Sequence, residues 1–301
     1  MARQPRSLNG KVVAITGGAR GIGKATAQAL VRKGAKVAIG DLDRELAEQT
    51  AAELGGDTLA LELDVTLRDS FEGFLDQVEE RLGSLDVLIN NAGIMPLSQF
   101  VDEDDRTAER MIDINVHGVL FGMKLALPRM QRRNSGHLVN IASQAGKAGF
   151  PGGATYCGTK HFVVGVSEAV RAELRETNIE VSCVMPAVVK TELGSGLPET
   201  RAIKPIEPED VADAIVAALE RPKFDVWVPR ESAAISKVMN LLPRGGREGI
   251  ARLLKADKVL AEPDTRVRAA YEDRAAHSEP ALDEPEASEA PSGSESETAA
   301  R

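Results

Sequence analysis

Residues 11–23, Lys-Val-Val-Ala-Ile-Thr-Gly-Gly-Ala-Arg-Gly-Ile-Gly, decide the fold. Lys11 to Thr16 is a β-branched run, short and bounded by glycines, as a strand buried on both faces of a parallel sheet would be. The glycines come at once, and Ala25, Ala29 and Leu30 then recur at helical spacing. A strand, a glycine turn and a helix together make an anion site. Glycines let the backbone approach a phosphate, and unpaired N–H groups at the helix start meet its charge. Gly17, Arg20, Gly21, Ile22 and Gly23 are therefore candidate phosphate-loop residues, spaced Gly-x-x-x-Gly-x-Gly.

The same alternation continues along the chain. A second strand, Lys36 to Gly40, ends in Asp41, eighteen residues after Gly23, where a carboxylate would accept hydrogen bonds from an adenosine ribose. A carboxylate there repels a 2′-phosphate, which favours NAD over NADP. Arg20 is the counter-signal: it either meets a 2′-phosphate or is a solvated loop arginine. Arg44 to Leu54 reads as a helix, and Thr58 to Leu63 as a strand closing on Asp64 and Val65. These two either flank an adenine, or Asp64 caps the helix from Leu67 to Leu82. Asp86 to Asn90 is a fourth strand running into Asn91, Ala92 and Gly93. Two roles are open for Asn91, lining a ligand crevice or tying neighbouring strands together.

A long helical pattern from Asp102 to about Arg132 holds Asn115 between Ile114 and Val116, a mildly unfavourable place for an asparagine. His137 to Ala142 is a fifth strand that delivers Ser143 to a glycine-containing loop. Tyr156 and Lys160 then open a helix continued by Val163, Val166 and Val170. Residues four apart share a helix face, and a cation beside a phenol pulls its pKa down from about 10, which equips the pair for acid-base work. Glu180 to Met185 is a sixth strand, ending at Pro186. The Gly- and Pro-rich segment 191–208 reads as a substrate lid, followed by a helix from Glu209 to Glu220 and a strand from Asp225 to Val228. Strands and helices alternating through residues 10–228 require an α/β doubly wound parallel sheet, about seven strands with helices on both faces and right-handed crossovers.

Composition narrows the function classes. The formal charge is −9, against a nucleic-acid partner, and seven acids against one base lie in residues 276–301, so the body is nearly balanced. Two cysteines, Cys157 and Cys183, and four scattered histidines show no metal-ligand spacing, so no metal is expected, and reduced thiols suit a cytoplasmic protein. No apolar run reaches the roughly eighteen residues of a membrane span.

The ordered set Thr-Gly-x-x-x-Gly-x-Gly, Asp41, Asp64, Asn-Asn-Ala-Gly, Asn115, Ser143, Tyr-x-x-x-Lys and Pro186 resembles the short-chain dehydrogenase/reductase superfamily. The resemblance implies a Rossmann-type fold and an NAD-dependent enzyme interconverting a secondary alcohol and a ketone. In that family Tyr156 would be the acid-base residue and Ser143 would hold the substrate oxygen. Lys160 would bind the nicotinamide ribose and lower the Tyr156 pKa, and Asn115 would position a relay water through its backbone. Pro186, Val189 and Thr191 would lie at the nicotinamide end, with Ala187 standing where a glycine is usual. A homodimer or homotetramer is implied, through the helices around Asn115 and after Tyr156. The lid and the apolar terminal helices point to a hydrophobic substrate: steroid-like, retinoid-like or acyl. The alternatives are a non-catalytic NAD(P)-binding sensor or scaffold and an NADP-dependent carbonyl reductase.

The catalytic domain is expected over residues 1–230, with an amphipathic helical extension over 231–275 and an acidic disordered tail over 276–301. In the extension Ile235, Val238, Met239 and Leu242 form one stripe; Pro243-Arg244-Gly245-Gly246 breaks it, and Ile250, Leu253 and Leu254 start another among basic residues. Such helices pack on the substrate pocket, on a second subunit, or peripherally on a membrane surface.

Overall fold

The structure is a computed structural model that describes residues 4–199 and 204–276. Seven parallel strands form one sheet in the order β3-β2-β1-β4-β5-β6-β7. These are β1 (Val12–Thr16), β2 (Lys36–Asp41), β3 (Leu59–Glu62), β4 (Val87–Asn90), β5 (Gly136–Ile141), β6 (Ile179–Pro186) and β7 (Asp225–Val228). Each expected strand is present, with ends moved by no more than two residues. The doubly wound fold is as read.

Alternation along each strand feeds two cores. Val12 and Ala14 of β1, with Leu88, Leu138 and Met185, face α3 (Arg68–Leu82), α5 (Gly118–Arg132) and α6 (Ala154–Glu173). Val13 and Ile15, with Ile39, Ile89 and Val139, face α1 (Gly21–Arg32) and α7 (Pro208–Glu220). Helix α1 presents Ala25, Ala27 and Ala29 to that core, and these small side chains admit Val211 and Ile215 of α7. Asp43 caps α2 (Arg44–Leu54), its carboxylate accepting the Leu46 N–H at 3.1 Å.

Strand order reverses between β1 and β4, which leaves a crevice beyond their carboxyl ends, the position where open α/β sheets bind ligands. The long helix expected from Asp102 is two α-helices, α4 (Asp105–Ile112) and α5, joined by a π-helical turn, Asp113–His117. That wider turn contains Asn115 and accounts for a polar residue between two apolar ones.

The extension past β7 divides. Helices α8 (Ser232–Leu241) and α9 (Arg244–Leu253) contain no buried residue. The expected break falls at Leu242 and Pro243: α8 ends at Leu241, and Pro243 stands at the N-cap of α9, so helix resumes at Arg244. A further helix, α10 (Thr265–Ala276), which has no apolar stripe, returns to the mouth of the crevice. The expected acidic tail beyond Ala276 lies outside the described residues.

Candidate active site

A cavity of about 630 Å³ runs from the glycine turn to α10. Its wall includes Gly17, Arg20, Gly21, Ile22, Asp41, Asp64, Val65, Asn91, Ala92 and Gly93 at one end, and Ser143, Tyr156, Lys160, Pro186, Val189 and Thr191 toward the other. Of the residues singled out in the sequence, Gly23 and Asn115 alone are not in the wall. They shape it from behind. A Cβ at Gly23 would fall 2.1 Å from the Gly17 carbonyl oxygen, so no other residue lets α1 fold back so tightly on the turn. Asn115 is fully buried; its Oδ1 accepts the Ile94 N–H at 2.9 Å, and its Nδ2 donates to the Ile94 carbonyl at 2.9 Å and to Thr159 Oγ1 at 3.2 Å.

The first end fits a dinucleotide on three observations. Helix α1 starts without a side-chain cap or an acid in its first turn, so its leading N–H groups are left for an anion. Asp41 Oδ2 accepts the Ala19 N–H at 3.0 Å, which fixes the carboxylate at the tip of β2, and burial pushes its pKa up. Asp64 Oδ1 accepts from the Thr66 N–H and hydroxyl at 2.8 and 2.7 Å, whereas its buried Oδ2 has no partner among the described residues. A buried carboxylate oxygen without a donor is costly unless a ligand supplies one, as an adenine amine would. Asp64 does not cap α3, whose N-cap is Leu67 without a side-chain bond.

Asn91 takes the structural role among its two alternatives. Its Nδ2 donates to the Thr16 and Gly17 carbonyls, both at 2.9 Å, and holds the end of β4 to the glycine turn while its flank lines the cavity. Arg20 is partly exposed but not free. It pairs with Asp43 at 2.8 Å and Glu192 at 3.1 Å, and the same Glu192 oxygen takes Arg274 of α10 at 2.8 Å.

At the second end, Tyr156 and Lys160 are both buried on one face of α6, with Lys160 Nζ 5.7 Å from the phenol ring centre. The expectation that Lys160 lowers the Tyr156 pKa is not what this geometry gives. Burial pushes Tyr156 up to about 12, opposed by the hydrogen bond from Ser143, and burial pushes Lys160 down to about 8. Both groups lose water, which is the dominant cause of each shift, and the ammonium donates to the Ile141 carbonyl at 3.0 Å. Gly93 fits between them and the π turn: a Cβ there would lie 3.0 Å from Asn115 Oδ1 and 3.5 Å from Lys160 Nζ. Cys157 faces away, its sulfur near the Phe150 N–H at 3.4 Å.

The residues that sequence reasoning missed come from the extension. Val259, Leu260, Tyr271 and Arg274 line the cavity. Arg268, 1% exposed, donates to the carbonyls of Leu193 (2.9 Å), Ser195 (2.9 Å) and Met95 (2.8 Å), and Tyr271 Oη accepts the Met95 N–H at 2.7 Å. The arm thereby ties the segment around Leu193 and Ser195 to the body.

A parallel sheet, a glycine turn and a Ser-Tyr-Lys cluster at its carboxyl edge define a nucleotide-dependent oxidoreductase. The sequence matches the short chain dehydrogenase family over residues 11–202, and the chain belongs to that family of NAD(P)-dependent dehydrogenases and reductases. It is 35% identical over 228 residues to an uncharacterized oxidoreductase of Staphylococcus saprophyticus, covering 72% of this chain and 93% of the relative. It is 39% identical over 191 residues to a sorbitol dehydrogenase of Cereibacter sphaeroides, covering 63% and 75%. With a zerumbone synthase of Zingiber zerumbet it shares 39% identity over 198 residues, covering 64% and 74%. A short chain dehydrogenase/reductase from Burkholderia phymatum, solved in complex with NAD, superposes with a TM-score of 0.72 at 24% identity, over 78% of this chain and 94% of that one.

Proposed function

We propose that the protein is an NAD-dependent oxidoreductase that interconverts a hydrophobic secondary alcohol and its ketone, with Tyr156 as the acid-base residue. The observation that carries this is Tyr156, buried beside Lys160 and sharing with Ser143 the wall of a cavity that continues to the phosphate turn. Ser143 and Tyr156 converge on one point and would hold the reacting oxygen between two hydroxyls. A phenol kept protonated at neutral pH is equipped to donate to a carbonyl oxygen, and so to serve reduction. Lys160 stands behind it to bind ribose hydroxyls and replace the proton. The nicotinamide, when bound, supplies or takes the hydride. Met95, Phe150, Leu193, Leu197, Val259 and Leu260 surround this end with apolar surface, which suits a hydrophobic substrate and excludes water.

NAD is favoured over NADP by the arrangement around Asp41. Asp43 and Glu192 already engage Arg20, so the base in the glycine turn is committed to carboxylates and less disposed to meet a 2′-phosphate. NADH oxidation in the presence of hydrophobic ketones tests the reading. Tyr156→Phe should cut kcat by about 10²–10⁴ while NADH binding persists; retained turnover would remove Tyr156 from its role.

Two assembly readings go with this. A half-buried apolar row on α6, Phe162, Val166 and Val170, supports a homodimer or homotetramer, and light scattering on the eluting protein measures it. Helices α8 and α9 favour contact with an anionic membrane. Ile235, Val238, Leu241 and Leu253 are 62%, 60%, 86% and 78% exposed, among Lys237, Arg244, Arg247 and Arg252. Two copies meeting there would oppose like charges, whereas anionic lipid would not. Protein that stays in the supernatant with phosphatidylserine vesicles at low salt would end that reading.

A further inference from the structure

We propose that Tyr271 is a specificity-determining residue: its hydroxyl donates a hydrogen bond to a second oxygen of the substrate, apart from the oxygen that Tyr156 addresses. The inference rests on the ketone–alcohol reading and narrows it to apolar substrates with two oxygen functions. Four observations carry it.

Tyr271 lines the cavity from α10, opposite the helix that bears Tyr156. Its oxygen accepts the Met95 N–H at 2.7 Å, so the phenolic proton points elsewhere, and among the described residues it has no acceptor. Its position is fixed from two sides, by that bond and by the Arg268 guanidinium, 4.9 Å from the ring centre. Arg268 is in turn held by three backbone carbonyls and Glu272, so the donor is rigid before any ligand arrives.

The surroundings make that donor count. Beside Ser143, Gln144 and Lys160, the cavity wall at the Tyr156 end includes an apolar part, Met95, Phe150, Val259 and Leu260, whose side chains offer no oxygen or nitrogen. A hydroxyl set beside that apolar part of the wall is a strong discriminator, because a ligand that leaves it unpaired forfeits a hydrogen bond. Burial keeps the phenol protonated across the working range, and Tyr156 is near enough to contribute to that shift. Both phenols therefore face one ligand as donors, and a molecule that satisfies both carries two acceptor oxygens.

The probes are 2-decanone and the decanediones with a second carbonyl at carbon 3, 4, 5 or 6. Each is assayed for NADH-dependent reduction and for equilibrium binding to the enzyme–NADH complex, with wild type and Tyr271→Phe. Wild type should prefer at least one dione over the monoketone by about tenfold in kcat/KM and in affinity, and Tyr271→Phe should abolish that preference, losing about tenfold more on the preferred dione than on 2-decanone. An equal loss on every probe would make Tyr271 a structural anchor for Met95 and overturn the proposal, as would a wild type with no preference for any dione. Binding that prefers a dione without turnover would leave the Tyr271 contact standing and refute the oxidoreductase reading instead.

Discussion

Arg268→Met should release the carboxyl-terminal arm without unfolding the sheet. The substitution keeps the apolar stem and removes the guanidinium, which holds three buried carbonyls and Glu272. Hydrogen bonds to a charged group contribute about 1.5–3 kcal/mol each, so the three carbonyl bonds sum to roughly 4–5 kcal/mol at the lower end. Part of this is recovered when the freed carbonyls meet water, because the arm lifts off as a unit instead of leaving them buried. A net loss of about 3–4 kcal/mol of docking is expected, a factor of roughly 10²–10³ in the opening equilibrium. Amide hydrogen exchange followed by mass spectrometry reads it directly: peptides covering residues 256–276 and 193–197 should exchange roughly 10²–10³ times faster, and those covering β1 and β4 should be unchanged. Trypsin should also cut sooner after Arg266. Arm peptides as protected as in wild type would refute the clamp, and an equal rise in the sheet would show that Arg268 supports the whole fold instead.

Further outcomes follow from other groups. Glu192→Gln removes the shared partner of Arg20 and Arg274; since these side chains are 37% and 49% exposed, the pairs are weak, and NADH should dissociate only about threefold faster, with less salt dependence, in stopped-flow displacement. Asp41→Asn should shrink the ratio of NAD to NADP affinity roughly tenfold, read by titration calorimetry. His137, held neutral by burial and by the nearby Arg6, has its pKa lowered to about 3. The unfolded chain therefore binds the extra proton between pH 3 and 6.5, and stability falls as pH drops through that window, by up to about 1.4 kcal/mol per unit. Urea midpoints followed from pH 6.5 down to 3 should fall less steeply for His137→Gln than for wild type, and equal slopes would show that another group is responsible.

The strands were legible because each is a short, largely apolar run stopped by a glycine, a proline or a polar residue, and the carboxyl edge they share placed Asp41, Asn91, Ser143 and Pro186 together. Helix α10 was not legible, and the reason is physical. Its two buried residues are Arg268 and Ala275, so it docks through hydrogen bonds to carbonyls and not through an apolar stripe, and hydrophobic periodicity cannot register it. The pKa relation of Tyr156 and Lys160 was misjudged for a similar reason. Spacing reported that they share a face, but the balance between attraction and lost hydration depends on burial, which spacing does not carry.

The π turn at Asp113–His117 has a consequence for how this gene can change length. A π turn is one residue more than an α-helix needs, so a single deletion there leaves a perfectly good helix. Every later residue of α5 would nonetheless turn by about 100° and rise by about 1.5 Å against the sheet. Asn115 would lose Ile94, Gly118 would leave its place against Val65 and Gly122 its place against Asn90 and Phe71, and Met123 would leave Asn140. Among the helices here, this is a point where losing a residue costs nothing locally and the site globally.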